Sequence, residues 1–118
     1  MKLIKKLPPE EKYALTDGMR RASRSATENI AEGFGRYHFQ ENIQFCRHSR
    51  GSLHELIDQL ITALDEEYIT NSEFSNGKEL IQRALGLLNG YINYLLKAKS
   101  DTKADVNIFR EDIEPYEL

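Results

Sequence analysis

Apolar residues recur along the chain at steps of three and four positions, which is the spacing of one face of an α-helix. One stripe follows Pro8 and Pro9, a second occupies the middle of the chain, and a third follows the segment TNSE at residues 70–73. No window of five or more residues alternates cleanly between apolar and polar side chains, as a half-buried strand does. The pattern therefore predicts an all-α chain with helices over about residues 9–33, 40–67 and 71–99.

Residues with known end preferences support these three helices. Pro9 suits the first turn of a helix, Gly33 supplies a C-terminal stop, and Thr70 with Glu73 is typical of a capping box. The loops between the helices are about four to six residues long, which is typical of antiparallel neighbours. We expect an up-down bundle domain over residues 1–99.

The remaining segment, residues 100–118, shows no sustained apolar period and carries six acidic against two basic side chains. We expect this acidic C-terminal tail to be extended or disordered, because little in it can be buried regularly.

Composition limits the class of protein. The 118 residues fit one domain, with 40% hydrophobic and 30% charged side chains. The single Cys46 cannot form an internal disulfide, which favours a reducing compartment. No apolar run reaches the roughly 20 residues of a membrane helix, and the N-terminus lacks the apolar core of a signal peptide. We expect a cytoplasmic protein that has no membrane partner.

Charge is unevenly distributed. The chain has a net charge of −3, whereas residues 20–50 carry six arginines and three glutamates, a net charge of +3. The overall balance argues against strong non-specific binding of nucleic acid, but this segment leaves room for a local basic face. The candidate nucleic-acid-binding residues are Arg20, Arg21, Arg24, Arg36, Arg47 and Arg50. The alternative is that these arginines pair with acids within or between subunits.

The segment ENIAEGFGRY, residues 28–37, places two glycines around Phe34 where the first helix should end. It lacks a preceding strand, the third glycine of a dinucleotide site and the Lys-Ser/Thr pair of a P-loop, so a phosphate-binding loop is disfavoured. A helix–helix turn fits better. Asn29 and Glu32 lie one turn apart, and we expect them to bond loop backbone or an arginine rather than to catalyse a reaction.

Other candidate chemistry is sparse. Cys46 and His48 are two positions apart on a predicted helix, so they point to different sides and form neither a Cys–His pair nor a metal site. His38 and His54 also lack a ligand partner at helical spacing with supporting carboxylates. We expect no enzyme activity, no cofactor, no metal site and no small-molecule substrate.

Two runs, LTDGMRRASRSATENIAEGFGRY and RGSLHELIDQLITALDEEYIT, resemble one protein family. They are similar to the pattern L-T-x-Q-x-R-R-A-x-x-S-I-x-x-N-I-A-E-G, followed by G-S-L-x-E, of the four-helix-bundle proteins encoded within intervening sequences of bacterial 23S ribosomal RNA genes. Those proteins look related to the accessory variability determinant of diversity-generating retroelements. The motif residues carried over as structural are Asn29, Glu32, Gly33, Gly51, Ser52 and Glu55.

The resemblance covers roughly residues 3–99 and implies a four-helix bundle whose first helix is largely missing from this chain. The family's first helix lies before the proline turn, and this chain starts almost at that turn. We expect the fourth wall to come from another subunit, from the tail, or from sequence missing from this gene model.

The resemblance also implies self-association, with pentameric rings known in the family, and a nucleic-acid-binding or partner-binding role. We expect a non-catalytic oligomeric scaffold or protein-interaction module, with dimer and pentamer as the leading states. The alternative is a weak, sequence-tolerant RNA- or DNA-binding protein that acts through an arginine-rich face of the oligomer.

Two further expectations concern single residues. Interior glycines at four positions indicate places where helices or subunits approach closely, because each costs about 1 kcal/mol relative to alanine. They are Gly18, Gly51, Gly86 and Gly90. Glu32 and Glu55 are expected to accept hydrogen bonds from arginine or loop backbone, and their loss should lower stability or break assembly.

Overall fold

The computed structural model describes the backbone of residues 9–109 and the side chains of residues 9–102. Three helices follow one another: α1 (Pro9–Phe34), α2 (Phe39–Asp65) and α3 (Asn71–Phe109). The described part of the chain contains no strand. The all-α class and the three long helices predicted from apolar spacing are therefore confirmed.

Both connections between helices are short and hydrogen-bonded. After α1, the Gly35 amide donates to the Ala31 carbonyl at 3.3 Å. After α2, the amides of Glu67 and Tyr68 donate back to Leu64 and Ala63, and Glu67 adopts a left-handed backbone with φ 62°. This pattern is a Schellman motif, in which the end of the helix satisfies its own last carbonyls.

The predicted capping box begins α3. The Thr70 hydroxyl accepts a hydrogen bond from the Glu73 amide at 3.0 Å, and the Glu73 carboxylate accepts one from the Thr70 amide at 2.8 Å. Two amide groups at the start of the helix thus have partners that the helix itself cannot supply.

The length of α3 corrects the sequence-based expectation. The helix continues to Phe109, ten residues past the predicted end at Lys99, so a tail extended or disordered from residue 100 is wrong over residues 100–109. This segment contains neither glycine nor proline, and helix propensity continues where the apolar period ends. Residues 110–118 lie outside the described part of the chain.

The central helix is α2, and α1 and α3 both pack on it. Ser49 of α2 bonds to α1, whereas the next residue, Arg50, bonds to Asn89 of α3. Successive residues of an α-helix are about 100° apart, so the two neighbours of α2 lie roughly at a right angle. No described residue of α1 packs directly on α3. The three described helices therefore occupy three corners of a four-helix arrangement.

The hydrophobic core lies mainly between α2 and α3, because α1 contributes small residues. Ala26 of α1 joins a cluster built from larger side chains of the other two helices. Its buried members from α2 and α3 are Ile43, Cys46, Leu53, Leu85, Leu88, Ile92 and Leu95. The long helices and the open corner give an elongated shape of 69 × 23 × 13 Å.

Candidate functional site

Small polar side chains join α1 to α2 at the centre of the sequence motif. The Asn29 amide donates to the carbonyl and hydroxyl oxygens of Ser25, at 2.7 and 3.1 Å. The Ser52 hydroxyl donates to the Ser25 hydroxyl at 2.9 Å, and fully buried Ser49 donates to the Ala26 carbonyl at 2.7 Å. The bonds of Ser49 and Ser52 cross between the helices and hold them in register, whereas the Asn29 bonds lie within α1.

Gly33 lies at a close approach of α1 and α2. A Cβ atom at this position would stand 2.8 Å from Asn42 Oδ1 and 2.9 Å from Phe45 Cβ. Buried Asn42 in turn donates to the Tyr91 hydroxyl of α3 at 3.1 Å, and accepts from the Cys46 thiol at 3.5 Å. Asn42 therefore links all three helices near the α1–α2 turn.

Sequence reasoning missed Asn42 and Ser49. Both are polar residues on a helix with a strong apolar stripe. The only feature of the sequence that indicates their burial is their position beside Ile43 and near Cys46. Burial raises the pKa of the Cys46 thiol, so this group stays protonated at neutral pH. That state fits a core residue, not a nucleophile.

The motif carboxylates lie at the surface. Glu32 accepts a hydrogen bond from Arg36 at 2.7 Å, as expected, with 55% of its side chain exposed. The same guanidinium lies 4.0 Å from Glu41 and 4.9 Å from the centre of the Phe45 ring. Exposed Glu55 accepts from Gln59 at 3.3 Å, a donor on its own helix and not the arginine or loop backbone expected.

The interior glycines divide into two kinds. A Cβ at Gly18 would meet the Gln59 side chain at 3.1 Å, so α1 and α2 do approach closely there. At Gly51, Gly86 and Gly90 a Cβ would meet no described atom within 4 Å. Close approach of helices within the chain therefore does not account for these three glycines.

The structure does not bring the six arginines into one face. On α1, Arg21 pairs with Asp17 at 3.4 Å, whereas exposed Arg20 and Arg24 form no ion pair with the described side chains. Arg36 lies at the α1–α2 turn. On α2, Arg47 is exposed, and Arg50 donates to Asn89 at 2.9 Å on the α3 side. The six arginines thus lie on α1, at the α1–α2 turn and on α2, and three of them are engaged by Asp17, Glu32 or Asn89.

One corner of the bundle holds no described helix, and apolar side chains face it. We call this surface the open side. On α3 its members are Leu80, Ala84, Leu87, Tyr91 and Tyr94, called here the α3 stripe. Tyr91 packs against the core, and its hydroxyl accepts a hydrogen bond from Asn42 of α2. Tyr94 lies beside Tyr91 with nearly parallel rings, their centres 6.2 Å apart.

Large apolar side chains remain exposed on the open side. Leu80, Leu87 and Tyr94 keep 62%, 77% and 65% of their surface in contact with water. On α1, Met19 and Ile30 share the face of core residue Ala26 by helical spacing. No described residue covers Leu80, Leu87 or Tyr94.

Other chemistry is limited in the described residues. Among them, no three His, Cys, Asp or Glu side chains are placed to hold a metal ion. Within the same part of the chain, no helix combines the length and apolar character needed to cross a membrane. Burial of its hydroxyl, together with Glu66 and Glu11, raises the pKa of Tyr68, so this tyrosine stays protonated at neutral pH.

The comparison with known families agrees with this architecture. The family model described as 23S rRNA-intervening sequence protein matches residues 1–90. No curated protein and no solved structure gives a comparable match. The match includes α1, α2 with the serine bonds that join the two helices, and the first half of α3. The chain therefore belongs to the 23S rRNA-intervening sequence protein family.

Proposed function

We propose that this protein is a non-catalytic, oligomeric helical-bundle scaffold or protein-interaction module of the cytoplasm. The observation that carries the proposal is the open side, where Leu80, Leu87 and Tyr94 remain more than half exposed. Contiguous apolar surfaces of this kind on a soluble protein usually mark an interface. A homo-oligomer, with dimer and pentamer as the leading states, supplies the cover that the described chain lacks.

The polar groups of the motif support a structural role for it. Glu32, the motif carboxylate closest to a turn, is engaged by Arg36 at the surface. Ser52 is used in a bond to Ser25 that joins α2 to α1, and Asn29 is used in bonds to Ser25 within α1. Their hydrogen-bonding capacity is directed to holding the bundle together, which is what a scaffold requires of them.

The native mass of the full chain tests the proposal. We expect sedimentation or native mass spectrometry at micromolar concentration to give a multiple of the 13.7 kDa protomer mass. A homogeneous species of 13.7 kDa that stays helical under these conditions would contradict it.

A second candidate, weak binding of RNA or DNA, is favoured by one observation. Arg20 and Arg24 are exposed, lie one turn apart on α1, and have no ion pair with the described side chains. An oligomer repeats this pair, so that weak contacts to phosphates add up. The binding would be tolerant of sequence, because phosphate contacts carry no sequence information.

Titration of labelled single-stranded RNA tests the second candidate. We expect weak binding that falls steeply with salt, since each neutralised phosphate releases counterions, and that is lost in Arg20→Glu with Arg24→Glu. The matched control is Lys78→Glu with Arg83→Glu, which makes the same charge change on α3. No binding at micromolar protein and about 50 mM salt, a condition that favours charge-driven binding, would exclude this role.

A further inference from the structure

Two hydrogen bonds at the surface fix how α3 lies beside α2. Arg50 donates to Asn89 at 2.9 Å, and Lys99 donates to Gln40. Moving ten residues forward along α2 thus corresponds to moving ten residues back along α3, as in an antiparallel pair. The first half of α2 therefore lies beside the middle of α3.

These two adjoining segments carry cations and no acidic side chain. Residues 42–54 of α2 and residues 80–100 of α3 include neither aspartate nor glutamate. Arg47 and Lys97 form no ion pair with the described side chains, whereas Arg83 is already paired within α3. A local positive charge thus persists, although the whole chain carries a net charge of −3.

Cations and amides line this part of the surface. Arg47 and Arg50 lie one turn apart on α2, and Asn93 and Lys97 lie one turn apart on α3. The side-chain oxygen of Asn89 accepts from Arg50 and so holds this guanidinium in place. Apart from half-buried Arg50, all of these side chains are exposed. We call these five residues the α2–α3 face.

Three glycines leave the backbone bare beside the α2–α3 face. Gly51 lies one turn from Arg47 on α2. On α3, Gly86 and Gly90 precede Asn93 by seven and three residues and share its side of the helix. A Cβ at any of the three would meet no described atom within 4 Å. The missing side chains leave room for a ligand to approach the helix backbone closely.

We propose that the α2–α3 face binds the sugar–phosphate backbone of an RNA duplex. This inference rests on the second candidate function, the binding of nucleic acid, and assigns to it a surface separate from Arg20 and Arg24. Interfaces with nucleic acid are more polar and more positive than those between proteins. A protein partner is usually held by apolar or aromatic anchors at the centre of the interface, and no member of the α2–α3 face is apolar.

The layout of the face favours a duplex over a single strand. Proteins that hold single strands stack the bases on aromatic side chains, and the α2–α3 face contains none. Its donors instead form two rows, one on each helix, and packed helices lie about 8–10 Å apart. Two such rows reach phosphates of both strands that border a groove.

The amide of Asn93 favours RNA over DNA. This amide has no hydrogen-bond partner among the described residues, so its donor and its acceptor are both available. A phosphate offers acceptors alone, whereas the 2′-hydroxyl of RNA is both a donor and an acceptor. We therefore expect binding that requires the duplex form and the ribose and that tolerates any sequence.

Titration of a labelled RNA duplex tests the inference, with a length of about 20 base pairs because duplex-binding domains span about 16. We expect Arg47→Gln with Lys97→Gln to raise the dissociation constant by about 10-fold at about 50 mM salt. The slope of log K against log salt should fall by about 2, since two phosphate contacts are lost. The matched control, Lys12→Gln with Lys78→Gln, removes the same charge near the starts of α1 and α3 and should change neither quantity.

A second variant tests the close approach without changing the charge. Gly86→Gln with Gly90→Gln places two uncharged side chains beside the α2–α3 face, and we expect the duplex to bind several-fold more weakly. The helix itself should become more stable, because glycine is the poorer helix former. Weaker binding by a more stable protein excludes misfolding as the cause. Unchanged binding would show that no ligand approaches the backbone here and would overturn the inference.

The remaining outcomes separate this inference from the other proposals. Binding of a DNA duplex or a single strand as tightly as the RNA duplex contradicts the assigned ligand. Polyglutamate that competes as well as unlabelled RNA duplex shows a surface for an acidic protein segment instead. Single-strand binding that is lost in Arg20→Glu with Arg24→Glu, but kept in Arg47→Gln with Lys97→Gln, overturns this inference and leaves the second candidate in place. Absence of all binding overturns both and leaves the scaffold.

Discussion

Single residues decide how closely α1 and α2 pack. At Gly33 there is no room for a methyl group, whereas at Gly51, also within a helix, there is open space. The sequence motif contains both glycines and does not distinguish them. Only the position of the neighbouring helix does, because the carbonyl oxygen of Asn42 and the Cβ of Phe45 lie against Gly33 alone.

Substitution of these two glycines should act in opposite directions. We expect Gly33→Ala to lower the free energy of unfolding by about 1–3 kcal/mol, since overpacking forces a buried contact apart. Gly51→Ala should raise it by roughly 0.5–1 kcal/mol through helix propensity. Urea unfolding of both variants measures the difference. Equal effects would show that the α1–α2 contact at Gly33 is not as close as described.

The carboxylates of the motif should matter less than a buried pair. Removing one partner of a buried ion pair costs about 3–5 kcal/mol, but Glu32 is 55% exposed and Glu55 is also exposed. We expect Glu32→Ala and Glu55→Ala each to lower the unfolding free energy by no more than about 1 kcal/mol, as for surface pairs. A loss several times larger in urea unfolding would mean that the oligomer buries these groups.

At the scale of elements, the positions of the helices could be predicted from the sequence. Which face of each helix is buried could be predicted only in part. Apolar spacing and end signals placed all three helices, with the ends of α1 and α2 within two residues of those observed. Adjacent apolar pairs such as Leu80–Ile81 and Leu87–Leu88 left two choices for the buried row of α3. The structure buries Leu88 and packs Ile81 against the core, and it leaves Leu80 and Leu87 exposed.

The C-terminal end of α3 was mispredicted for a physical reason. Apolar periodicity reports the face that a helix buries, so it ends where burial ends. Residues 100–109 continue the helix without that signal, as a helix can when it lacks glycine and proline.

The capping box at the start of α3 provides a test at this scale. We expect Thr70→Ala to lower the unfolding free energy by about 1 kcal/mol, because the Glu73 amide loses its acceptor. With Glu73→Ala the combined loss should be smaller than the sum of the two, since the two bonds act as a unit. Strictly additive losses in thermal unfolding would contradict a coupled box.

At the scale of the whole molecule, the main property is an open bundle. Three helices at three corners leave an apolar side that the described chain does not cover. The sequence predicted this gap through its resemblance to a four-helix family, but not which residues line it. Their identity depends on the rotation of α3 about its axis, which is set by contacts such as Asn42 with Tyr91.

The central claim is that association between copies completes this bundle, and thermal unfolding at varied protein concentration tests it most directly. If the folded state is an oligomer, its stability rises with concentration by mass action. We predict that Tm rises by roughly 5–10 °C between about 1 and about 100 μM protein, from the usual conversion of free energy to Tm. A Tm that is the same at both concentrations, with the mass of a single protomer throughout, would contradict the account.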